Sequence, residues 1–202
     1  MAISPGSTLI DHVIPARASR SANLLQDALL VIGGSLLVAA SAQISIQLPF
    51  TPVPITGETL AVLLVGAALG SKRGALAMLM YLGYGFLNLP IFAGGKGGFA
   101  YMTGATGGYL LGFVVAAFVV GWLCERGLEQ SFLTSVLAML PGSVIIYALG
   151  AGWLMFLFHL NLAQAFLQGI LPFIVGDVLK LVIAVALLPT AWSIMRRVRA
   201  ER

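Results

Sequence analysis

Residues 131–156 carry no ionisable side chain apart from Tyr147, and a run of that length cannot supply the surface of a water-soluble domain, which needs charge over most of its helices. Such stretches must face lipid or one another. Of the 202 residues, 59% are hydrophobic and 9% charged, where a soluble domain carries about a quarter charged residues. The formal charge of +4 is no sign of nucleic-acid binding, because the basic residues fall in short groups between apolar spans and form no basic helix or groove-reading motif. The single cysteine, Cys124, excludes an internal disulfide and any Cys-rich metal site.

A bilayer core takes roughly 20 apolar residues per helix. Windows of that kind lie at about 28–48, 57–71 (short), 74–92, 107–124, 132–157 and 164–193 (long). Pro49, Pro52 and Pro54 stop the first, Gly70-Ser71 closes the second, and Gly94 to Gly98 follow the third. The expectation is an all-α membrane protein of six transmembrane helices in a single domain, 1–202. Residues 1–27 are then a polar cytoplasmic segment, 28–193 the six-helix bundle and 194–202 a basic cytoplasmic tail.

Lysine and arginine set the orientation, because cytoplasmic loops retain positive charge during insertion. With both termini inside, the cytoplasmic face holds Arg17, Arg20, Lys72, Arg73, Arg126, Arg196, Arg197, Arg199 and Arg202 and the outer face only Lys96, while Lys180 lies within the sixth span. An odd number of spans would split the terminal charges between the faces. Ala40-Ser41-Ala42 also resembles a signal-peptide cleavage site, and cleavage there would leave five spans in the same orientation. Against cleavage stand the long polar head before Ala28 and an apolar pattern that continues through Ile44 and Ile46 to Leu48.

Charges inside a membrane cost about 2.5–3.5 kcal/mol each at mid-helix and persist when paired or useful. Asp177 and Lys180, three apart, share a helix face and can partner each other. They mark a site; the alternative is a pair that only fixes helix packing. Pro172 is expected to kink this helix and open carbonyls toward a cavity. The proline-stiffened Pro49–Thr56 loop can cap a pocket, and Glu58 falls in the first turn of span two, as a ligand contact or as a carboxylate favoured by the helix dipole. In the connection from Asn88 to Gly104, glycine density lets backbone approach a ligand, which makes Phe92 and Gly97 candidate contacts. There Asn88 is a helix cap or a ligand donor, and Tyr101 an interfacial anchor or a pocket wall. His12 and His159 are not at metal-ligand spacing, and no nucleophile–base set, metal dyad or phosphate loop is present in the sequence. Ser35 and Ala39 have the small-xxx-small spacing of close helix contact, here expected to serve a partner helix.

The blocks Pro49-Phe50-Thr51-Pro52-Val53-Pro54-Ile55-Thr56, Leu89 to Gly95 through Thr106 to Phe113, and Gly176-Asp177-Val178-Leu179-Lys180 together resemble the BioY family, biotin-specific substrate-binding (S) components of energy-coupling factor (ECF) transporters. The resemblance implies an S-component bundle in a bacterial inner membrane and a vitamin pocket near the outer face. It also implies membrane lipid as surroundings and coupling to a T component with paired ATPases, without cofactor, metal or covalent chemistry. Self-association is left open. With biotin as ligand, Lys180 can bind the carboxylate, while Asp177 and Asn88 meet the ureido ring or orient Lys180; which end faces which residue is open. Family members often have glutamine where this chain has Glu58, and an arginine associated with ligand contact has no clear counterpart in 97–106, where Tyr101 and Met102 stand. Another vitamin on the same fold is the first alternative. An intramembrane enzyme and a channel are disfavoured, the former for want of a nucleophile–base pair and the latter for want of a ring of repeated polar residues.

Overall fold

The computed structural model describes residues 8–13, 19–128, 131–174, 176, 177, 180, 182, 183, 187, 190 and 193. The chain is helical, with one two-stranded ribbon. A short α1 (Leu9–Val13) precedes α2 (Arg20–Ala42), and β1 (Ser45–Ile46) pairs antiparallel with β2 (Ile55–Thr56), Ser45 opposite Thr56. There follow α3 (Glu58–Leu69), α4 (Ser71–Phe86), a single turn α5 (Phe99–Met102), α6 (Gly107–Cys124), α7 (Phe132–Phe158) and α8 (Leu162–Gly169). Leu171–Ile174, Gly176, Asp177, Lys180 and the described residues beyond them are helical again. Among the described residues three helices, Arg20–Ala42, Gly107–Cys124 and Leu133–Phe158, are long and apolar enough to cross a membrane.

Several expected boundaries move. The first span begins at Arg20 and stops at Ala42, short of the expected 48, because Ser45 and Ile46 enter the ribbon. Its polar start is held by Arg73, whose guanidinium contacts Asp27 at 2.8 Å and Asp11 of α1 at 2.6 Å. The second and third spans meet at Gly70 (φ 85°), and Lys72 and Arg73 lie in the first turn of α4, not in a loop. Glu125, at the end of α6, caps that turn by accepting from the Ser71 N–H at 2.7 Å and the Ser71 hydroxyl at 2.9 Å. The third span ends at Phe86 instead of 92. Asn88 takes a left-handed conformation (φ 62°), with Leu89 N–H bonding Tyr84 O and Asn88 N–H bonding Gly85 O, a Schellman closure. The fourth and fifth spans fall within one residue of expectation, α7 opening on a reciprocal Ser131–Thr134 capping box. The expected sixth span, 164–193, is broken at Ile170, and much of it lies outside the described residues, as do residues 194–202.

Helices α6 and α7 form the centre, with α3 and α4 packed on α6 and α2 on α4. Close approach explains two glycines: a Cβ on Gly66 would sit 2.7 Å from the Ala117 carbonyl oxygen of α6, and one on Gly108 would sit 2.2 Å from the Trp153 Cβ of α7. Ser35 and Ala39 are buried in the chain's own core, and the Ser35 hydroxyl bonds Ile32 O. The small-residue face of α2 thus turns inward in the single chain, and its outward face carries Leu24, Leu25, Leu29, Leu36 and Leu37.

Pro172 does break the helix, with a different consequence from the expected one. It has no N–H to offer Gln168 O, and Phe173 N–H bonds Ile170 O instead of Gly169 O. Both released carbonyls are taken up by side chains, the Thr51 hydroxyl donating to Gln168 O at 2.7 Å and the Tyr109 hydroxyl to Gly169 O at 2.6 Å. Tyr109→Phe should therefore leave a buried carbonyl unpaired at about 1–3 kcal/mol. A melting temperature within one degree of the native protein would show the bond to be dispensable.

The α1 contact is testable by pH. Burial pushes the Asp11 carboxyl up, but the Arg73 guanidinium and the Thr8 N–H and hydroxyl outweigh it and hold the group below its ordinary value. A depressed carboxyl stabilises docking fully above its unfolded value of 3.8, and the contribution is lost as pH falls through the lower folded value. The protection of the amides at residues 9–13 relative to their intrinsic exchange should hold from pH 7 to pH 4 and fall below it, while Asp11→Asn should lower it throughout.

Candidate functional site

The α3 start, α5, α6, α7 and the last helical segment converge on a partly open cavity. Its lining combines the polar residues Thr56, Glu58, Thr59, Tyr147, Asp177 and Lys180 with the apolar residues Val53, Leu110, Phe113, Ile146 and Phe173. Tyr101, Pro54 and Thr106 line this cavity and also an outer cleft that holds Gln47 and Lys96.

Asp177 and Lys180 pair at 2.7 Å with both side chains largely withdrawn from solvent. Lys180 Nζ donates also to Thr56 O at 2.5 Å and to the Thr59 hydroxyl at 3.1 Å, so its three hydrogens have three partners. Asp177 accepts further from the Thr59 hydroxyl at 3.1 Å and the Tyr147 hydroxyl at 2.7 Å. The network thus spans the turn into α3, α7 and the last helical segment. Glu58, the first residue of α3, is buried and accepts from the Tyr81 hydroxyl of α4 at 2.5 Å.

Of the residues expected from sequence, Asp177, Lys180, Glu58 and Tyr101 line the cavity; Asn88, Phe92 and Gly97 do not. Asn88 is exposed and spends its backbone on the α4 cap. Gly97 abuts the loop's own backbone, where a Cβ would lie 2.3 Å from Leu89 O. Phe92 is fully buried behind Tyr101. Sequence reasoning missed Thr59 and Tyr147. A signal existed for each: Tyr147 is the one ionisable group in 131–156, and Thr59 is a hydroxyl beside Glu58 in an apolar helix. Among the described residues no cluster of three metal-ligating side chains occurs.

A model described as the BioY family matches residues 15–197. The chain belongs to the BioY family. It is 39% identical over 160 residues to a biotin transporter BioY of Rhizobium etli, covering 76% of this chain and 85% of that protein. To the biotin transporter BioY of Thermotoga maritima it is 42% identical over 148 residues, covering 73% and 85%. A crystal structure of the S-component for biotin from an ECF-type ABC transporter superposes with a TM-score of 0.75 at 26% identity, covering 91% of this chain and 95% of that one. Membership in the BioY family accounts for the helical architecture, and the cavity lies where the blocks Pro49–Thr56 and Gly176–Lys180 come together.

The ion pair makes each charge depend on the other. Asp177→Leu or Lys180→Leu alone should lower stability by about 3–5 kcal/mol through an uncompensated charge, and the double replacement should regain most of it. Thermal melting of the three variants in detergent checks this; single losses that simply add in the double would mean that the pair is uncoupled.

Proposed function

We propose that this protein is the biotin-capturing S component of an ECF-type transporter, working with a T component and ATPase subunits and catalysing no covalent step. The supporting observation is the amphipathic cavity: apolar side chains for the aliphatic tail and thiophane ring, and a cluster of carboxylates and hydroxyls for the ureido donors and acceptor. Its relatives' names and the matched S-component structure support the ligand and the assembly. On this reading residues 1–202 form one multi-pass domain in a bacterial inner membrane, six spans with both termini inside, in contact with lipid. The one-sided distribution of lysine and arginine supports that orientation.

Biotin enters with its ureido ring toward Asp177, Glu58, Thr59 and Tyr147 and its carboxylate toward the outer cleft. Lys180 has no donor to spare, since Thr56, Thr59 and Asp177 take all three hydrogens. Among the described residues Lys96, 5.8 Å from the Tyr101 ring centroid, has no ion-pair partner and stands at the cleft. Calorimetry on the purified protein should show biotin binding without ATP; no heat at micromolar biotin would refute the assignment. Lys96→Gln should weaken biotin about tenfold while leaving biotin methyl ester unchanged, which is the loss of one charge-assisted bond of about 1.5 kcal/mol. An equal effect on acid and ester would reverse the orientation. The double variant Asp177→Leu/Lys180→Leu should stay unable to bind even where its stability recovers, because the polar partners of the ring are gone.

A further inference from the structure

Phe92 has no exposed surface and is not part of this cavity's lining, yet its ring packs on Tyr101, which lines it, and on Tyr81, which bonds the lining residue Glu58. One face is stacked on Tyr101, centroids 5.1 Å apart and planes at 19°, and Tyr81 meets it edge-on at 5.3 Å and 85°. Tyr101 is the wall common to the cavity and the outer cleft, and Tyr81 donates the hydrogen bond that holds Glu58. We propose that Phe92 is a positioning residue for ligand binding, a single ring that sets Tyr101 and the Tyr81–Glu58 pair in one mutual arrangement. The inference rests on the biotin reading given above.

The surroundings of Phe92 are built to fix that ring. Gly85 of α4 lies directly against it: a Cβ there would come within 1.9 Å of its Cζ and 2.2 Å of its Cε2, so residue 85 has to be glycine for the ring to lie flat in its slot. From the other side the backbone is clamped. Phe92 N–H bonds Lys96 O at 2.9 Å, Gly95 N–H bonds Phe92 O at 3.0 Å, and the Gln43 amide reaches from the end of α2 to Ile91 O at 3.0 Å. Gly98 N–H ties the same loop to Gly85 O at 2.7 Å. Tyr101 sits on a single turn of helix and packs against the core; its carbonyl accepts from the Thr106 hydroxyl and the Gly104 N–H, and its ring meets the Lys96 ammonium and lies stacked on Phe92.

A ring that only filled space would be replaceable by a side chain of similar volume, whereas a ring that aligns its neighbours needs its flat face and its edge. The test compares biotin dissociation constants and melting temperatures for the native protein, Phe92→Leu, Tyr101→Ala and the two combined, with Gly85→Ala as a variant that displaces the ring from a position outside the cavity. Phe92→Leu is expected to weaken biotin about tenfold, the order of the aromatic contacts it removes, at a melting temperature within a few degrees of native. The loss should shrink in the Tyr101→Ala background, and Gly85→Ala should reproduce it. A Phe92→Leu protein that melts early but binds biotin at native affinity would overturn the proposal, as would losses that simply add in the double variant. Should Phe92→Leu fail to fold, Phe92→Met is read by the same criteria. Failure of the native protein to bind biotin appears in the control, before any variant, and removes the functional reading together with this inference.

Discussion

The Asp177–Lys180 pair is the constraint that the rest of the structure serves. Two charges withdrawn from water to a separation of 2.7 Å repay their desolvation only if the remaining hydrogens and lone pairs are also satisfied. That condition brings Thr56, Thr59 and Tyr147 to the pair from the turn before α3, from α3 itself and from α7. Sequence-distant elements are thus tied together by one electrostatic need. Removing any one partner leaves a donor or acceptor unsatisfied away from bulk solvent.

Pro172 solves a second problem in the same region. A straight helix from Leu162 onward would have used the carbonyls of Gln168 and Gly169 internally, whereas the proline hands them to Thr51 and Tyr109. These bonds pin the ribbon loop and α6 to the end of α8. The same proline that breaks the helix therefore supplies two acceptors that hold the cavity walls together, and Tyr109 is at once such a strut and part of the lining.

Legibility followed the physics of each element. Helix α6 was readable to the residue because its sequence is apolar throughout and bounded by glycine and charge, and α7 nearly so. The ends of α2 and α4 were not, since Ile44 and Ile46 suit a ribbon as well as a lipid-facing helix and a left-handed asparagine leaves little trace in hydropathy. In the site, the charged pair announced itself by the cost of burying it. The hydroxyls of Thr59 and Tyr147 stood out only as isolated polar groups in apolar helices, and their role is set by a partner 118 or 30 residues away. Spacing alone also left the face of Ser35 and Ala39 open: small residues permit close approach on whichever face they occupy, and within the chain their neighbour is its own core.

The brevity of α3 ties these threads together. Twelve residues span about 18 Å, against about 40 Å for the 27 of α7, so the chain between Ala42 and Glu58 has to make up the difference outside any helix. It does so as a ribbon whose proline-rich tip reaches Gln168 and whose last residue, Thr56, lies just before the helix begins. The carbonyl of Thr56 consequently has no intrahelical partner and is available to Lys180, while Glu58 and Thr59 enter the cavity from the first turn. Had α3 begun one turn earlier, the Thr56 carbonyl would have been taken up by the helix and Lys180 would have had an open hydrogen inside the site. The short helix and the stiff loop are one device that lets a buried ammonium be fully bonded before any ligand arrives.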